Sequence, residues 1–453
     1  MSRLFGTDGA RGVAGSELTP ELAMNIGHAA AMVLTKHTNK KATFLIGKDT
    51  RISGDMLESA LCAGLCSFGA DVKLCGVVPT PAIAYLVKKY GCDAGVVISA
   101  SHNPMKFNGI KIFNGEGYKL ADEIEDEIEA LILDTPEQMV NVTGAEMGRV
   151  SSVDTAVRDY IDHLKTACDA DFSSLKVVFD CANGASSMTA PTLFTELGVQ
   201  ATFIGCEPDG TNINAGCGST HLDKLAEKVK EGGFDCGIAF DGDADRCLAI
   251  DENGEEIDGD KIIGILATRM KQAGKLKQDT AVVTVMSNLG FIKHMEKRGI
   301  KTATTAVGDR YVLEEMREKG YNIGGEQSGH VILSDYATTG DGQLTAIALL
   351  NNFAKEDKKV SEFNGCYSKY PQVLINIKTT AEGKAFYKTD EYIEGFIEAK
   401  QQQLMGAGRV LVRLSGTEPL IRVMVEGEEL DRITAVANEI VDKIKERLAT
   451  IEA

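Results

Sequence analysis

The chain has 453 residues, 43% of them hydrophobic and 25% charged, a globular composition long enough for several independent cores. A formal net charge of −18 argues against nucleic-acid binding, which needs a basic footprint, yet leaves room for a small anionic substrate held by local cations. "MSRLFGTDGARG" has no apolar leader and no later run approaches the roughly 20 apolar residues that span a bilayer, so a cytoplasmic protein without membrane contact is expected.

The eleven cysteines are scattered, mostly within apolar runs, and form no CxxC pair, which points to reduced thiols and away from zinc. Strand-like runs at 43–47, 72–78 and 94–99 alternate with helical patterns at 54–68 and 81–89, and a charged helix is expected at 120–132. Strands at 176–180, 201–205 and 236–240 then alternate with helices near 184–197 and 221–231. A third group, 281–285, 301–305 and 321–325, alternates with helices near 289–298, 308–319 and 340–354. This alternation predicts parallel α/β units. The end of the chain differs: strands at 373–379, 409–414 and 421–427 with one intervening helical stretch and a terminal helix at 430–448 read as α+β. The expected domains are 1–150, 151–255, 256–368 and 369–453.

In open parallel sheets, ligands gather at the carboxyl ends of strands, and the unusual polar clusters lie there. In "AFDGDADRC" (239–247), Asp241, Asp243 and Asp245 recur at every second residue, which aims three carboxylates one way in a looped chain. Such a trio repels itself unless a cation sits among its members, and all-oxygen ligation suits Mg²⁺ or Ca²⁺. An EF-hand is disfavoured, because Arg246 stands where that loop needs glycine; a solvated acidic turn is the bland alternative.

In "SASHNP" (99–104), Ser101 is a poor nucleophile unless activated or placed beside a metal and a phosphoryl group. His102 could act as its base, although sequence neighbours rarely point at one another, and no G-x-S-x-G elbow is present. A phosphoserine at Ser101 touching the aspartate-held metal would use both clusters; a capped turn before Pro104 would use neither. In "RLSGTEPLIRVMVEG" (413–427), Ser415, Gly416, Thr417 and Arg422 can cradle a phosphate, or form a plain hairpin loop. In "GGEQSGH" (324–330), Glu326 and Ser328 suit vicinal sugar hydroxyls, and His330 can move protons near neutral pH. Arg11, Lys48 and Arg51 are candidates to neutralise phosphate.

"TDGARG", "SASHNP", "DGDADR", "GEQSGH" and "RLSGTEPLIRVMVEG", in that order, make the whole chain resemble the α-D-phosphohexomutase superfamily. The resemblance implies four domains around a central cleft, three topologically similar α/β domains with mixed sheets and a C-terminal α+β phosphate-binding domain that closes over substrate. It implies phosphorylation of Ser101, Mg²⁺ held by Asp241, Asp243, Asp245 and a Ser101 phosphate oxygen, and Arg246 beside the phosphoryl group. Glu326 and Ser328 become sugar contacts, and Ser415, Gly416, Thr417 and Arg422 the cradle for the non-reacting phosphate. Lys111 and His330 become the acid–base candidates, with Arg11 supporting.

The implied activity interconverts glucosamine 6-phosphate and glucosamine 1-phosphate through glucosamine 1,6-bisphosphate, supplying amino-sugar nucleotide synthesis. "GEQSGH" leans toward the amino sugar; a phosphomannomutase or phosphoglucomutase shares the chemistry. A silent sugar-phosphate sensor should lack Ser101 or an aspartate, and a Mg²⁺-dependent phosphatase would release free phosphate. A homodimer and a kinase priming Ser101 are the macromolecular partners considered. Met105, Lys106 and Leu414 depart from the common pattern at positions without a chemical role.

Overall fold

The computed structural model describes residues 4–6, 8–38, 40–415 and 419–452. They divide into two compact units, one of residues 1–286 and 298–366, the other of residues 287–297 and 367–453. Among the described residues no helix is long and apolar enough to cross a membrane.

The first unit holds three sheets. Strands β1 (Ala10–Val13), β2 (Thr43–Lys48), β3 (Asp71–Val77), β4 (Ala94–Ile98), β5 (Phe107–Asn114) and β6 (Val150–Ser152) lie in the order β1-β5-β4-β2-β3-β6. Strands β7 (Lys176–Asp180), β8 (Gln200–Ile204), β9 (Cys236–Phe240), β10 (Cys247–Asp251) and β11 (Glu256–Ile257) lie in the order β11-β10-β9-β7-β8. Strands β12 (Thr280–Thr284), β13 (Lys301–Thr305), β14 (Ile323–Gly325) and β15 (Val331–Leu333) lie in the order β13-β12-β14-β15.

The all-parallel expectation is corrected here. In each sheet one parallel strand turns straight back into an antiparallel partner: β4 into β5, β9 into β10, β14 into β15. The mixed sheets implied by the resemblance are the ones found. The three hairpin turns are residues 99–106, 241–246 and 326–330, so the clusters read as strand-end loops are the turns of three equivalent hairpins.

Core packing follows the helical and strand periods. Helix Ser53–Ser67 buries Leu57, Leu61 and Leu65, one turn apart, against Phe44, Ile46 and Ile98. Gly27 and Gly64 let it approach helix Pro20–Thr38 closely; a Cβ on Gly64 would stand 2.9 Å from the His28 nitrogen. Val178, Ala239 and Ile250 pack on Leu225 and Val229 in the second sheet, and Val282 and Ile332 on Val312 and Met316 in the third. Each large apolar side chain so buried contributes about 1.5–3 kcal/mol.

The second unit is a fully antiparallel sheet, β16 (Gln372–Lys378), β18 (Leu420–Gly427) and β17 (Gly408–Leu414) in that order, with Ile421, Val423 and Val425 packed on Ile433, Ile440 and Ile444 of helix Leu430–Glu452. Two helices, Ala381–Thr389 and Glu391–Gln403, replace the single helical stretch expected there. Helix Leu289–Lys297, which sequence order assigns to the third α/β domain, belongs to this unit. Asn288 fastens it, donating to Glu426 Oε1 at 2.7 Å and the Tyr370 carbonyl at 3.0 Å, while buried Glu426 also accepts from Arg409 Nε at 2.7 Å.

Candidate active site

The β4–β5 turn holds Ser101 in the left-handed backbone region, φ 52°, uncommon for a residue with a side chain. Its N–H donates to Ser99 Oγ at 2.9 Å, and its carbonyl accepts from Arg51 Nη2 and Asn214 Nδ2, each at 2.9 Å. Arg51 spends its whole guanidinium on this turn: Nε donates to Asp49, Nη1 to the Pro104 and Phe107 carbonyls, Nη2 to those of Ser101 and Asn103. The expectation that Arg51 offers charge to a phosphate is therefore corrected; it clamps the serine turn. Lys48 is likewise engaged by Asp55 and Glu58, at 2.7 and 2.5 Å.

The Ser101 hydroxyl donates to Asp241 Oδ2 at 2.5 Å, joining the first hairpin turn to the second. Asp241, Asp243 and Asp245 are all buried, with ligand oxygens within 4.8 Å of one another. Ala244 makes the turn with φ 56°, and the Gly342 N–H, at the start of helix Gly342–Lys355, donates to its carbonyl at 2.9 Å. Thr80 Oγ1 and Lys111 Nζ donate to Asp243 Oδ2 at 2.7 and 3.0 Å.

The trio fits a divalent cation. Oδ1 of Asp243 and Oδ1 of Asp245 are buried with no hydrogen-bond partner, an arrangement that is costly without a ligand. Burial first, then the charges of Asp245 and Asp243, push Asp241 well above the ordinary carboxylate range. Burial pulls Asp245 the same way, but His330, Lys111 and Arg246 outweigh it and hold that carboxyl well below its usual value. Three converging buried carboxylates, two with an oxygen left without a hydrogen bond and all offering only oxygen, suit a hard metal ion.

Around the trio stand the acid–base candidates. Lys111 is buried; burial opposes its charge, but Asp243 and Asp245 raise it above the ordinary lysine value, so it stays protonated. His330 lies 3.6 Å by Nδ1 from Asp245 and 3.6 Å by Nε2 from Asp309; burial works against its charge, yet those two carboxylates and Glu326 lift it to about 9. The Gly340 N–H, 3.1 Å from Nε2, can donate to it only in the neutral ring and so opposes the charge that the carboxylates favour. His102 does point at its neighbour, with Nδ1 3.3 Å from Ser101 Oγ, against the expectation for adjacent residues. Burial, then Arg246 and Arg11, push it down to about 4, which leaves it neutral and a weak base.

Glu326 accepts from the Gly308 N–H at 3.1 Å, Ser328 is exposed, and Arg246 has its N–H on Asp241 Oδ1 at 3.2 Å with Nε 3.9 Å from Asp245. Arg11 Nη2 is 3.5 Å from Asp8. Gln327 turns away, donating to Asp258, the N-cap of helix Gly259–Gln272, at 3.3 Å. Thr80, Asn214, Asp309 and Lys119 (2.8 Å from Asp309) complete the surroundings without having been singled out. Their only sequence signal is polarity, since each partner is far along the chain.

Ser101, Lys111, His102, Arg246, the aspartates, Glu326 and His330 thus belong to the first unit. The proposed cradle belongs to the second. There Ser415 is buried, its N–H donates to Leu420 O at 2.9 Å, and its carbonyl accepts from Lys384 Nζ at 2.7 Å. Arg422 pairs with Arg413 across β17 and β18. Gly416 and Thr417 lie outside the described residues.

Four domain descriptions of one family match successive parts of the chain: phosphoglucomutase/phosphomannomutase alpha/beta/alpha domain I over residues 2–139, domain II over 158–254, domain III over 258–370 and the C-terminal domain over 374–443. A phosphoglucosamine mutase of Alkaliphilus oremlandii is 52% identical over 448 residues, covering 99% of this chain and 100% of the relative. One of Ruminiclostridium cellulolyticum is 53% identical over 449 residues, with the same coverage. The crystal structure of a phosphoglucomutase/phosphomannomutase family protein from Burkholderia thailandensis superposes with TM-score 0.81 at 24% identity, over 98% of this chain and 97% of that one. An Aspergillus fumigatus N-acetylphosphoglucosamine mutase, solved with GlcNAc-6P and magnesium, superposes with TM-score 0.70 at 17% identity, over 99% and 96% of the two chains.

Proposed function

The chain belongs to the phosphoglucomutase/phosphomannomutase family, and from that membership we propose that it interconverts glucosamine 6-phosphate and glucosamine 1-phosphate. The observation that carries this reading is the 2.5 Å contact of Ser101 Oγ with Asp241 Oδ2, beside two further buried carboxylates. A hydroxyl bound there, beside carboxylates that suit a metal ion, supports phosphoryl transfer through Ser101.

Asp241, Asp243 and Asp245 would hold Mg²⁺ together with an oxygen of phospho-Ser101. When bound, that ion offsets charge on the transferring phosphoryl group. Phospho-Ser101 gives its phosphoryl group to the free sugar hydroxyl: the bond from phosphorus to Ser101 Oγ breaks as the bond to the sugar oxygen forms. We assign to Lys111, held protonated against Asp243, the return of a proton to Ser101 Oγ. His330 is our candidate to exchange the proton of the sugar hydroxyl. The product, glucosamine 1,6-bisphosphate, reorients and returns its other phosphate to Ser101. Glu326 and Ser328 are assigned to the sugar hydroxyls, Arg246 and Arg11 to the reacting phosphate, and Ser415, Gly416, Thr417 and Arg422 to the other. Rate enhancement would come from positioning and charge.

The test compares turnover of glucosamine, glucose and mannose phosphates by one preparation, with intact-protein mass in parallel. We expect the amino sugar to be strongly preferred and a phosphate-sized mass increment that is lost in Ser101→Ala. Preference for glucose or mannose phosphate would move the assignment within the family. Net release of inorganic phosphate would replace it by a phosphatase.

A further inference from the structure

We propose that Lys119 is a positioning residue for His330, acting through Asp309; the proposal rests on the part given to His330 in the reaction above. The Lys119 ammonium lies 2.9 Å from Asp309 Oδ1 and 2.8 Å from Oδ2, and 3.3 Å from Asp8 Oδ1. Asp309 in turn faces His330 Nε2 at 3.6 Å, while Asp245 faces Nδ1 of the same ring at 3.6 Å. A cation, a carboxylate, an imidazole and a second carboxylate therefore follow one another from the end of β5 into the aspartate trio.

The chain around Lys119 holds it in place independently of its charge. Lys119 bridges back to Phe113 across a turn closed by the Asn114 N–H on the Tyr118 carbonyl at 2.7 Å. Three further contacts dock that turn. Arg317, on helix Asp309–Lys319, stacks its guanidinium 3.9 Å from the centre of the Tyr118 ring. Arg310 Nη2 donates to the Leu120 carbonyl at 2.9 Å, and Thr338 Oγ1 to the Gly117 carbonyl at 2.6 Å. Burial opposes the charge of Lys119, but Asp309 and Asp8 raise it above the ordinary lysine value, so it stays an ammonium. Substituting Lys119 therefore removes a charge and leaves the turn docked.

Equal distances place the His330 ring between two competing carboxylates, neither in close hydrogen-bond contact with it. Lys119 engages both oxygens of Asp309, which tempers that side and lets Asp245 keep its hold on the other end of the ring. Without the ammonium, Asp309 has lost its nearer cation and attracts the imidazole more strongly. Gly340 closes one face of the ring: a Cβ there would stand 2.5 Å from its Nε2 and Cε1. The ring is then drawn along its own plane toward Asp309, away from Asp245 and from the place where it would meet the sugar hydroxyl. A shift of about 1 Å in such a group can cost about 10²-fold in turnover.

The test uses the full-length enzyme at one pH and saturating Mg²⁺. We expect Lys119→Met to lower kcat at least about tenfold, with KM for the sugar phosphate changed less than about threefold. Lys119→Arg, whose fork can span Asp309 and Asp8, should recover kcat to within about threefold of the parent. On a His330→Gln background, Lys119→Met should lower kcat no further, because the ring it holds is gone. By NMR, the His330 ring resonance, identified by its loss in His330→Gln, should move in Lys119→Met and return in Lys119→Arg. Asp309→Asn, which keeps the shape of the side chain, should shift the same resonance and lower kcat in the same His330-dependent way, and decides the matter if Lys119→Met does not fold.

A loss of turnover that persists in full on the His330→Gln background would overturn the proposal, as would a His330 resonance or a kcat that these substitutions leave unchanged. The turnover arms rest on the reaction proposed above; the resonance arm does not. A parent enzyme without mutase turnover, whose His330 resonance still moves with Lys119, would therefore sink that reaction and leave the positioning of the ring standing.

Discussion

The Ser101 carbonyl accepts from Arg51 Nη2 at 2.9 Å, so the backbone beneath the Ser101 hydroxyl hangs on a buried ion pair between Arg51 and Asp49. Arg51→Lys keeps a charge beside Asp49 but cannot reach four carbonyls with a planar fork. Turnover should fall about 10²-fold through misplacement of Ser101, with KM for the sugar phosphate changed less than about threefold. Arg51→Gln additionally strands Asp49 as an unpaired buried charge and should cost about 3–5 kcal/mol in urea unfolding. Unchanged kcat in a folded Arg51→Lys protein would show that the turn holds its own shape.

Gly242 is the second constraint on that turn. A Cβ there would stand 2.6 Å from the Ser101 carbonyl and 2.8 Å from Asn214 Nδ2, closer than real Cβ contacts come. Gly242→Ala should separate the serine turn from the aspartate turn, lowering kcat about 10²-fold while costing about 1–3 kcal/mol of stability. Gly395, inside helix Glu391–Gln403, has nothing within 4 Å of its added Cβ and an ordinary backbone. Gly395→Ala should therefore stabilise the protein by about 0.5–1 kcal/mol and leave turnover alone, a paired measurement that separates crowding from loss of glycine as such.

Strand positions were legible because runs such as "KVVFD" and "CGIAF" are apolar, β-rich and bounded by turn residues; β7 and β9 fall on those runs. Direction was not legible, since periodicity is the same for parallel and antiparallel strands, and "FNGIKIFN" hid β5 behind its glycine and asparagines. Helix 184–197 split into a short 3-10 turn, Ala185–Met188, and helix Ala190–Glu196, whose start Pro191 marks. Ser101 and the aspartates stood out because their residue types are wasteful in a plain turn. Thr80 and Asn214 did not, because a threonine before a helix and an asparagine in a loop look ordinary until Asp243 and Ser101 are placed against them.

Asp241 should show opposite effects on stability and activity. Burial, then Asp245 and Asp243, raise Asp241 well above its ordinary 3.8. A group raised in the folded state favours its protonated form there, so its contribution is present below about pH 3.8 and is lost as pH rises. Asp241→Asn stays neutral at every pH. Metal-free melting near pH 8 should find the variant more stable than the parent by a few degrees, with the gap closing toward pH 4. Mg²⁺ should raise the parent's Tm and barely move the variant's, whose turnover should drop about 10²–10⁴-fold. Equal Mg²⁺ shifts in the two proteins would remove Asp241 from the metal site.

Glu125, on helix Asp122–Leu133, tests the electrostatics at a position with no part in the reaction. Burial is the main cause that lifts its carboxyl from the ordinary 4.5 to about 7; Arg310 and Lys119 pull the other way, and Asp122 and Asp126 add to the rise. The protonated form is favoured in the fold, so its contribution is complete below about pH 4.5 and lost as pH climbs through 7. Glu125→Gln cannot ionise and should escape that loss. Urea unfolding at fixed Mg²⁺ between about pH 5 and 8 should show the parent weakening relative to the variant, with most of the divergence below and around pH 7 and with turnover matched throughout. Parallel stability curves across that window would mean that Arg310 and Lys119 neutralise the carboxylate fully, and that the acidic face of this helix carries no stability cost at neutral pH.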